Sequence, residues 1–563
     1  MRKSVGIFLA IFFVLQFNHV RSTSSEQPYR TAFHFQPPQN WMNDPNGPMY
    51  YNGVYHLFYQ YNPYGPLFAN QMYWAHSVSH DLINWTPLDL AIAPTESFDI
   101  NSCWSGSATI LHGNKPVMLY TGIDSENRQV QNLAVPGNLS DPYLREWVKY
   151  PGNPIINLPD GIQNDDFRDP TTAWLEDDGK WRILVGSQKN KMGIAFIYQS
   201  EDFVNWTKYD SPLHQVADTG IWECPDFFPV SVDSTKGVDT SVINGVVKHV
   251  LKVGLFDYAR DYYMIGNYSP VKENYVPQNE LNLGTLRLDY GKYYASKSFF
   301  DPVKNRRILL AWVNESDSEA DDIAKGWSGL QSFPRSVWLD RNQKQLVQWP
   351  IEEIETLHEN KVSLHDKKLE SGSIQEVLGV TAYQVDVKIS FRISNLEEAE
   401  ELDLSLSDPQ LICSGNNASN KGKFGPFGLL ALASSDLTEQ TAVFFRVYKN
   451  NGRYVVLMCS DQGRSSTRNG LDKTTYGAFV DIDPQQDEIS LRTLIDHSIV
   501  ESFGGGGKTC ITARVYPAMA IGEEARLYAF NNGTQSVVIS ELSAWSMKKA
   551  QINVQETISC TDQ

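Results

Sequence analysis

"SHDLINWT" (residues 79–86) returns as "SEDFVNWT" (200–207), and the echo extends upstream. Before the first copy stand Asp44-Pro45, an Asn52-Gly53 turn and "VYHLFYQ" (54–60). Before the second stand Asp169-Pro170, an Asp178-Gly179 turn and "KWRILVG" (180–186). Each copy is therefore an Asp-Pro opening, a hairpin, then a third and a fourth strand. Looser versions follow the same plan: "CWSGSATIL" with "KPVMLYTG" (103–122), "WECPDFFPV" (222–230) with "INGVVKHVLKVG" (243–254), and "YYASKSFFD" with "RRILLAWVN" (293–314).

The openings fall at Asp44, Trp104, Asp169, Glu223 and near Tyr293, at intervals of roughly sixty residues, enough for a four-stranded sheet with loops. Long 3.6-residue periodicity is almost absent, and runs of Val, Ile, Tyr, Phe and Trp alternate with Asn-Gly and Asp-Gly turns. An all-β fold is expected, with a five-bladed β-propeller over residues 28–345. A generic β-sandwich is the competing arrangement. In a propeller the first strand of each blade lines the central channel, so five openings converge on one mouth, and Asp44, Asp169 and Glu223 bring carboxyls there.

Past residue 345 the pattern changes. Residues 346–362, with the charged "PIEEIETLHENKV" (350–362), are expected to form a partly helical linker. Residues 363–550 alternate as in an antiparallel β-sandwich domain. "SFGGGGKT" (502–509) lacks the first glycine of a P-loop and is expected to be a turn between strands.

Arg2 and Lys3, an apolar run from Val5 to Leu15 and polar residues to Ser25 form a secretory leader, taken as residues 1–24. No later apolar run has the length of a membrane span, so a soluble, secreted monomer is expected. Sequons at Asn84, Asn138, Asn205, Asn267, Asn314, Asn417 and Asn532 suit a glycoprotein, without requiring that each be used. The six cysteines show no metal-ligand spacing, so no metal is proposed. Cys413 and Cys459, on neighbouring β-rich segments, are the candidates for a disulfide, while Cys103 and Cys224 sit inside the repeated motifs and are expected to stay free. A formal charge of −18 argues against nucleic acid as a partner.

Breaking a glycosidic bond needs a proton donor for the leaving oxygen and a partner for the oxocarbenium-like carbon; retaining enzymes use two carboxyls about 5–5.5 Å apart. Asp44 and Glu223 would meet across a propeller mouth. The aromatic context of "WECPDF" would raise the pKa of Glu223, and Arg168 would keep Asp169 ionised. An Asp before Pro is more often structural, and it is the repetition of acids at equivalent points that favours chemistry. His34, His56 and His76 read as strand residues with no triad or metal spacing.

"WMNDPNG" (41–47), "WSGSAT" (104–109), "FRDP" (167–170) and "WECPDF" (222–227), in that order, resemble the plant enzymes of glycoside hydrolase family 32. The resemblance runs from about residue 28 to the C-terminus. It implies a five-bladed propeller plus sandwich and a retaining, cofactor-free mechanism on β-fructofuranosides. It also implies Asp44 as nucleophile, Glu223 as acid/base and Asp169 as the binder of fructose hydroxyls. Trp41, Asn43, Gln60, Trp104, Ser105 and Arg168 would shape the pocket, with Trp74 bordering it. Pro225 resembles the cell-wall branch. Plant cell-wall invertases carry an Asp, and a Lys three residues on, where this chain has Phe256 and Ala259; Asp257 lies one position off, and Phe68 replaces a Trp. That combination resembles the fructan exohydrolases, so release of terminal fructose from fructans is expected, with an acid invertase as the alternative. A fructosyltransferase or a catalytically silent sugar-binding glycoprotein stands further off. Apoplast or cell wall is the expected location, with the vacuole as alternative.

Overall fold

The computed structural model describes residues 27–553, apart from 244, 282–283, 285 and 404–406. The expected leader and Cys560 lie outside the described residues. The two copies of the repeated octapeptide fold alike. Ser79 Oγ accepts from the Leu82 N–H (2.8 Å), and Asp81 Oδ1 from those of Ile83 (2.9 Å) and Asn84 (2.7 Å). Ser200 and Asp202 repeat these bonds with Phe203, Val204 and Asn205 at 2.9, 2.9 and 2.8 Å. Leu82 and Phe203 both take left-handed φ, 63° and 67°, and each is buried. The side chains that bond in the turn, Ser and Asp, are common to both copies; of the three positions that differ, His80/Glu201 is exposed, while Leu82/Phe203 fills core. Each turn carries a third strand into a fourth.

Five antiparallel sheets follow one another along the chain. Their first strands are Asn40–Tyr51, Ser102–Leu111, Phe167–Arg168, Trp222–Ser231 and Tyr294–Asp301, paired respectively with Val54–Asn62, Lys115–Ile123, Trp181–Lys189, Val247–Leu255 and Arg306–Val313. Neighbouring sheets meet through these inner strands, and Asn40–Tyr51 packs against both Ser102–Leu111 and Tyr294–Asp301, which closes a ring. Trp327–Ser328 then returns to pair in parallel with Asn40–Trp41.

Asn52 (φ 46°) and Gly53 (φ 90°) make the first hairpin, as their chemistry requires. Asp44-Pro45-Asn46-Gly47, residue types that favour a turn, make none here. The strand runs through it with two register slips, between Met42 and Pro45 and between Asn46 and Met49. Pro45 has no N–H to contribute, and a slip accommodates it without ending the strand.

Beyond the ring two six-membered strand series face each other. One runs His358–Leu369, Val537–Met547, Gln384–Arg392, Ile489–Asp496, Ile499–Gly504, Thr509–Arg514; the other runs Ser373–Glu376, Arg526–Asn531, Phe424–Ala433, Thr441–Asn450, Arg453–Asp461, Tyr476–Val480. Val387, Ile389, Phe391, Leu429, Val443 and Phe445 fill the space between them. Of the segment expected as linker, Leu346–Pro350 is a strand of the fifth sheet, Glu352–Leu357 a 3-10 helix, and His358 begins the second region. Cys413, on the helix Pro409–Gly415, and Cys459 form a disulfide with Cα atoms 5.6 Å apart; Cys103, Cys224 and Cys510 are free and buried. The glycine run makes the turn Gly505–Gly507 between strands. A Cβ on Gly507 would stand 2.0 Å from the Gln348 carbonyl, so this turn can touch the ring only as glycine.

The two regions share one apolar cluster, with Phe33, Leu57, Leu310 and Phe333 from the ring against Leu494, Phe503 and Met547. Buried charges cross the same boundary: His34 with Asp496 (2.9 Å) and Glu501 (3.3 Å), and Arg335 with Glu501 (2.9 Å), while Arg335 also meets Asp289 (3.0 Å) within the ring. His34 thus lies ahead of the first strand as an interdomain ion, not as the strand residue expected, while His56 and His76 do sit in strands and bond each other (3.0 Å). Asn138, Asn205, Asn267 and Asn314 are exposed and Asn84, Asn417 and Asn532 half-buried. Among the described residues no helix is long and apolar enough to cross a membrane.

Candidate active site

Every inner strand carries the same irregularity at the same height. Met42 pairs with Tyr61 but Pro45 with Tyr59; Glu223 pairs with Gly254 but Asp226 with Lys252; Tyr294 pairs with Trp312 but Lys297 with Leu310. Three residues advance on one strand for two on its partner. Ser105 is the extra residue between Trp104 and Gly106. In the third sheet Arg168 pairs with Gly186 and Thr171 next donates to Leu184. A bulge re-aims the side chains at its apex, and Asp169 (φ 67°), Cys224 (φ 42°) and Ala295 (φ 55°) take the left-handed conformation that this needs.

The bulges surround a cleft of about 560 Å³ lined by Asp44, Asp169 and Glu223 together with Trp41, Asn43, Gln60, Phe68, Trp104, Ser105 and Arg168. Trp74 is the exception among the candidates. It is fully buried, and its Nε1 donates to the Trp104 carbonyl (3.0 Å), so it supports the wall from behind instead of bordering the pocket. Asp165, Asp166, Gln188, Lys191, Ile221, Asp257, Tyr294 and Trp312 also line the cleft. Of these, Asp257 was singled out in the sequence, and Tyr294 was within its reach, since it stands at the opening of the fifth unit; Asp165, Asp166, Lys191 and Ile221 carried no signal.

Asp44 Oδ2 accepts from Ser105 Oγ (2.7 Å) and Oδ1 from Asn43 Nδ2 (3.0 Å), and the buried Cys224 thiol lies 3.4 Å from Oδ2. Burial pushes the Asp44 carboxyl up to about 7, the charges of Asp169 and Glu223 push the same way, and the Ser105 and Asn43 bonds oppose them. Asp169 accepts from the Cys224 N–H (2.7 Å) and donates its own to Thr121 Oγ1 (2.8 Å). Burial raises its carboxyl as well, against the pull of Arg168.

The Arg168 guanidinium does not pair with Asp169. Its Nε (2.9 Å) and Nη2 (2.8 Å) both meet Glu223 Oε1, and the Tyr294 hydroxyl donates to Oε2. Trp222 points into the core, bonded to Thr219 (2.9 Å), so the aromatic surroundings expected for Glu223 are replaced by a guanidinium and a phenol. The strand's alternation sends residue 222 one way and 223 the other. Arg168 also lies 5.7 Å from the Trp104 ring and 5.8 Å from that of Phe256. Gln60 Nε2, Trp104 Nε1 and Trp312 Nε1 have no protein partner; a ligand rich in hydroxyls would satisfy such donors.

Three carboxyls at one cleft, two held by hydroxyl or amide donors and one by an arginine and a tyrosine, with indole walls, form an arrangement chemically suited to breaking a glycosidic bond, and the chain is a glycoside hydrolase. More narrowly, the chain belongs to glycosyl hydrolases family 32: the family's N-terminal domain matches residues 34–350 and its C-terminal domain residues 353–546. It is 58% identical over 544 residues to a fructan 6-exohydrolase of Beta vulgaris, covering 95% of this chain and 90% of that one. It is likewise 58% identical over 550 residues to an insoluble β-fructofuranosidase isoenzyme of Arabidopsis thaliana, covering 96% and 94%. The crystal structure of fructan 1-exohydrolase IIa from Cichorium intybus superposes with a TM-score of 0.92 at 62% identity, covering 94% and 99%, and a variant of it has been solved with 1-kestose.

Proposed function

We propose that this β-fructofuranosidase removes terminal fructose from fructans and hydrolyses sucrose poorly. The observation that carries the proposal is the rim of the cleft. Phe256 (57% exposed) and Phe68 (52% exposed) stand beside the three carboxyls. Ala259 only ends the short helix Phe256–Tyr258 and presents no charge. A glucose unit would lose there a charged hydrogen bond worth about 1.5–3 kcal/mol, whereas the apolar face of a second fructose suits an aromatic rim. The five sheets are then the blades of a propeller, the second region is a β-sandwich, and the three acids take the roles of a retaining site.

Asp44 attacks the anomeric carbon of the terminal fructose, forming a covalent fructosyl–enzyme bond while the bond to the leaving oxygen breaks. Glu223 gives its proton to that oxygen, then takes one from the water that displaces Asp44. Burial raises the Asp44 carboxyl, and the Ser105 and Asn43 bonds work the other way, toward the ionised form that attack requires. Asp169, fixed by the Cys224 amide, holds fructose hydroxyls. The leader and the relatives named insoluble or cell-wall isoenzymes support secretion to the cell wall.

One observation favours an acid invertase instead. Asp257 also lines the cleft, close enough to Gly220 that a Cβ there would stand 2.9 Å from its Oδ2. Incubation of the purified protein with sucrose, inulin and levan separately distinguishes the readings. Fast fructose release from inulin or levan with little glucose from sucrose is expected; fast glucose release from sucrose overturns the proposal.

A further inference from the structure

Bulges leave carbonyls that the strand ladder no longer serves, and buried carbonyls need donors. In the first three sheets the donors are neutral. Gln331 Nε2 donates to the Asn43 carbonyl (2.8 Å), Trp74 to that of Trp104 (3.0 Å), and Gln131 Nε2 to that of Phe167 (3.0 Å). In the fourth and fifth sheets they are ammonium groups. Lys252 Nζ donates to the carbonyls of Cys224 and Ser296, both at 2.5 Å, and Lys297 Nζ to that of Pro225 (3.1 Å). Both lysines are fully buried, 1% and 2% exposed.

A buried ammonium is costly where an amide would do. Asp261 is 3.7 Å from Lys252, but Asp261 also serves the Ser296 N–H (2.8 Å). Asp226 is engaged by Ser298 N–H (2.8 Å) and Oγ (2.7 Å). Burial pushes the Lys297 ammonium below the usual lysine range, and Asp226 and Asp169 are among the charges that hold it up. What sets these two bulges apart is what they aim. One carries Glu223 and the other carries Tyr294, which bonds Glu223.

We propose that Lys252 and Lys297 are positioning residues for the proton donor: by gripping the carbonyls of Cys224, Pro225 and Ser296 they fix the two bulges from which Glu223 and Tyr294 project. Lys252 ties the fourth sheet to the fifth through one ammonium, so it carries the larger share. Neither lysine lines the cleft. This inference rests on the reading of Glu223 as the acid/base.

The test compares 1-kestose, whose leaving oxygen needs a proton, with 4-nitrophenyl β-fructofuranoside, whose leaving group does not. Glu223→Gln is the control, expected to lose far more kcat on 1-kestose than on the aryl substrate. Lys252→Met is expected to lose kcat about thirtyfold or more on 1-kestose, at least tenfold more than on the aryl fructoside, with KM within a factor of about three. Lys297→Met, which removes one bond instead of two, is expected to show the same asymmetry in smaller measure. Equal losses on both substrates, a change in KM alone, or failure of both lysine variants to fold would assign these residues to stability only and overturn the proposal. Should Glu223→Gln itself show no asymmetry, the acid/base assignment falls instead.

Discussion

Ser105 donates to a carboxyl that burial raises, and so favours the ionised form that a nucleophile needs. Ser105→Ala removes that bond. The acid limb of kcat/KM is expected to move to higher pH by about one unit, the equivalent of one hydrogen bond, as measured by pH–rate profiles on one substrate. At the rim, Phe256→Asp combined with Ala259→Lys supplies the charged pair that the cleft lacks. Sucrose hydrolysis is expected to rise about tenfold or more, with fructan hydrolysis falling; unchanged sucrose kinetics would show that Asp257 already performs that task. All three acids were legible because repetition marked them. The pairing of Arg168 was not, since it directly precedes Asp169 in sequence yet its guanidinium reaches across to Glu223, and only the third dimension decides which carboxylate a long side chain meets.

Within a strand, periodicity of two tells which residues share a face. That rule located the sheets, and it fails at the bulges that matter most. The Asp-Pro-Asn-Gly stretch has every mark of a turn, yet Asn40–Tyr51 is one strand. A bulge asks for the same residues as a turn, because both need irregular backbone, and the pairing of Pro45 with Tyr59 is a long-range matter. The octapeptide turn was more transparent, for its bonds are local. Asp202 takes two backbone N–H groups and is drawn down to about 2 by them, first by Asn205 and then by Val204. Asp202→Ala is expected to cost about 1 kcal/mol, as with a lost helix cap, and Asp81→Ala a comparable amount, read by denaturant unfolding. Trp74 illustrates the opposite failure. A tryptophan beside a motif reads as a wall of the pocket, but Trp74 is fully buried behind that wall, with its Nε1 spent on the Trp104 carbonyl.

Across the whole molecule, the ring and the second region behave as one packed body joined by buried charge. Burial works against the His34 cation, but Asp496 and Glu501 outweigh it and raise its pKa to about 9. A group raised in the folded state stabilises fully below its unfolded value of about 6.5 and loses that contribution as pH climbs through 9. The wild-type protein is expected to lose about 3 kcal/mol between pH 6 and pH 10 from this residue. His34→Gln should be less stable at pH 6 and lose less over the same range, in denaturation midpoints at the two pH values. The disulfide is a second constraint, closing a loop with a sequence separation of 46. Its removal by Cys413→Ser with Cys459→Ser is expected to destabilise by about 3–4 kcal/mol.

The parallel pairing of Asn40–Trp41 with Trp327–Ser328 also sets a timetable. During synthesis at roughly 5–20 residues per second, tens of seconds separate the emergence of Asp44 from that of the strand that covers the edge beside it. For that interval the edge at Asn40–Trp41 is bare, and an uncovered edge invites pairing with other chains. Nascent chains halted before Trp327 are expected to be cleaved more readily by protease and held more by chaperones than chains halted after Pro350. Full resistance is expected only once the strand ending at Met547 has covered the shared apolar cluster.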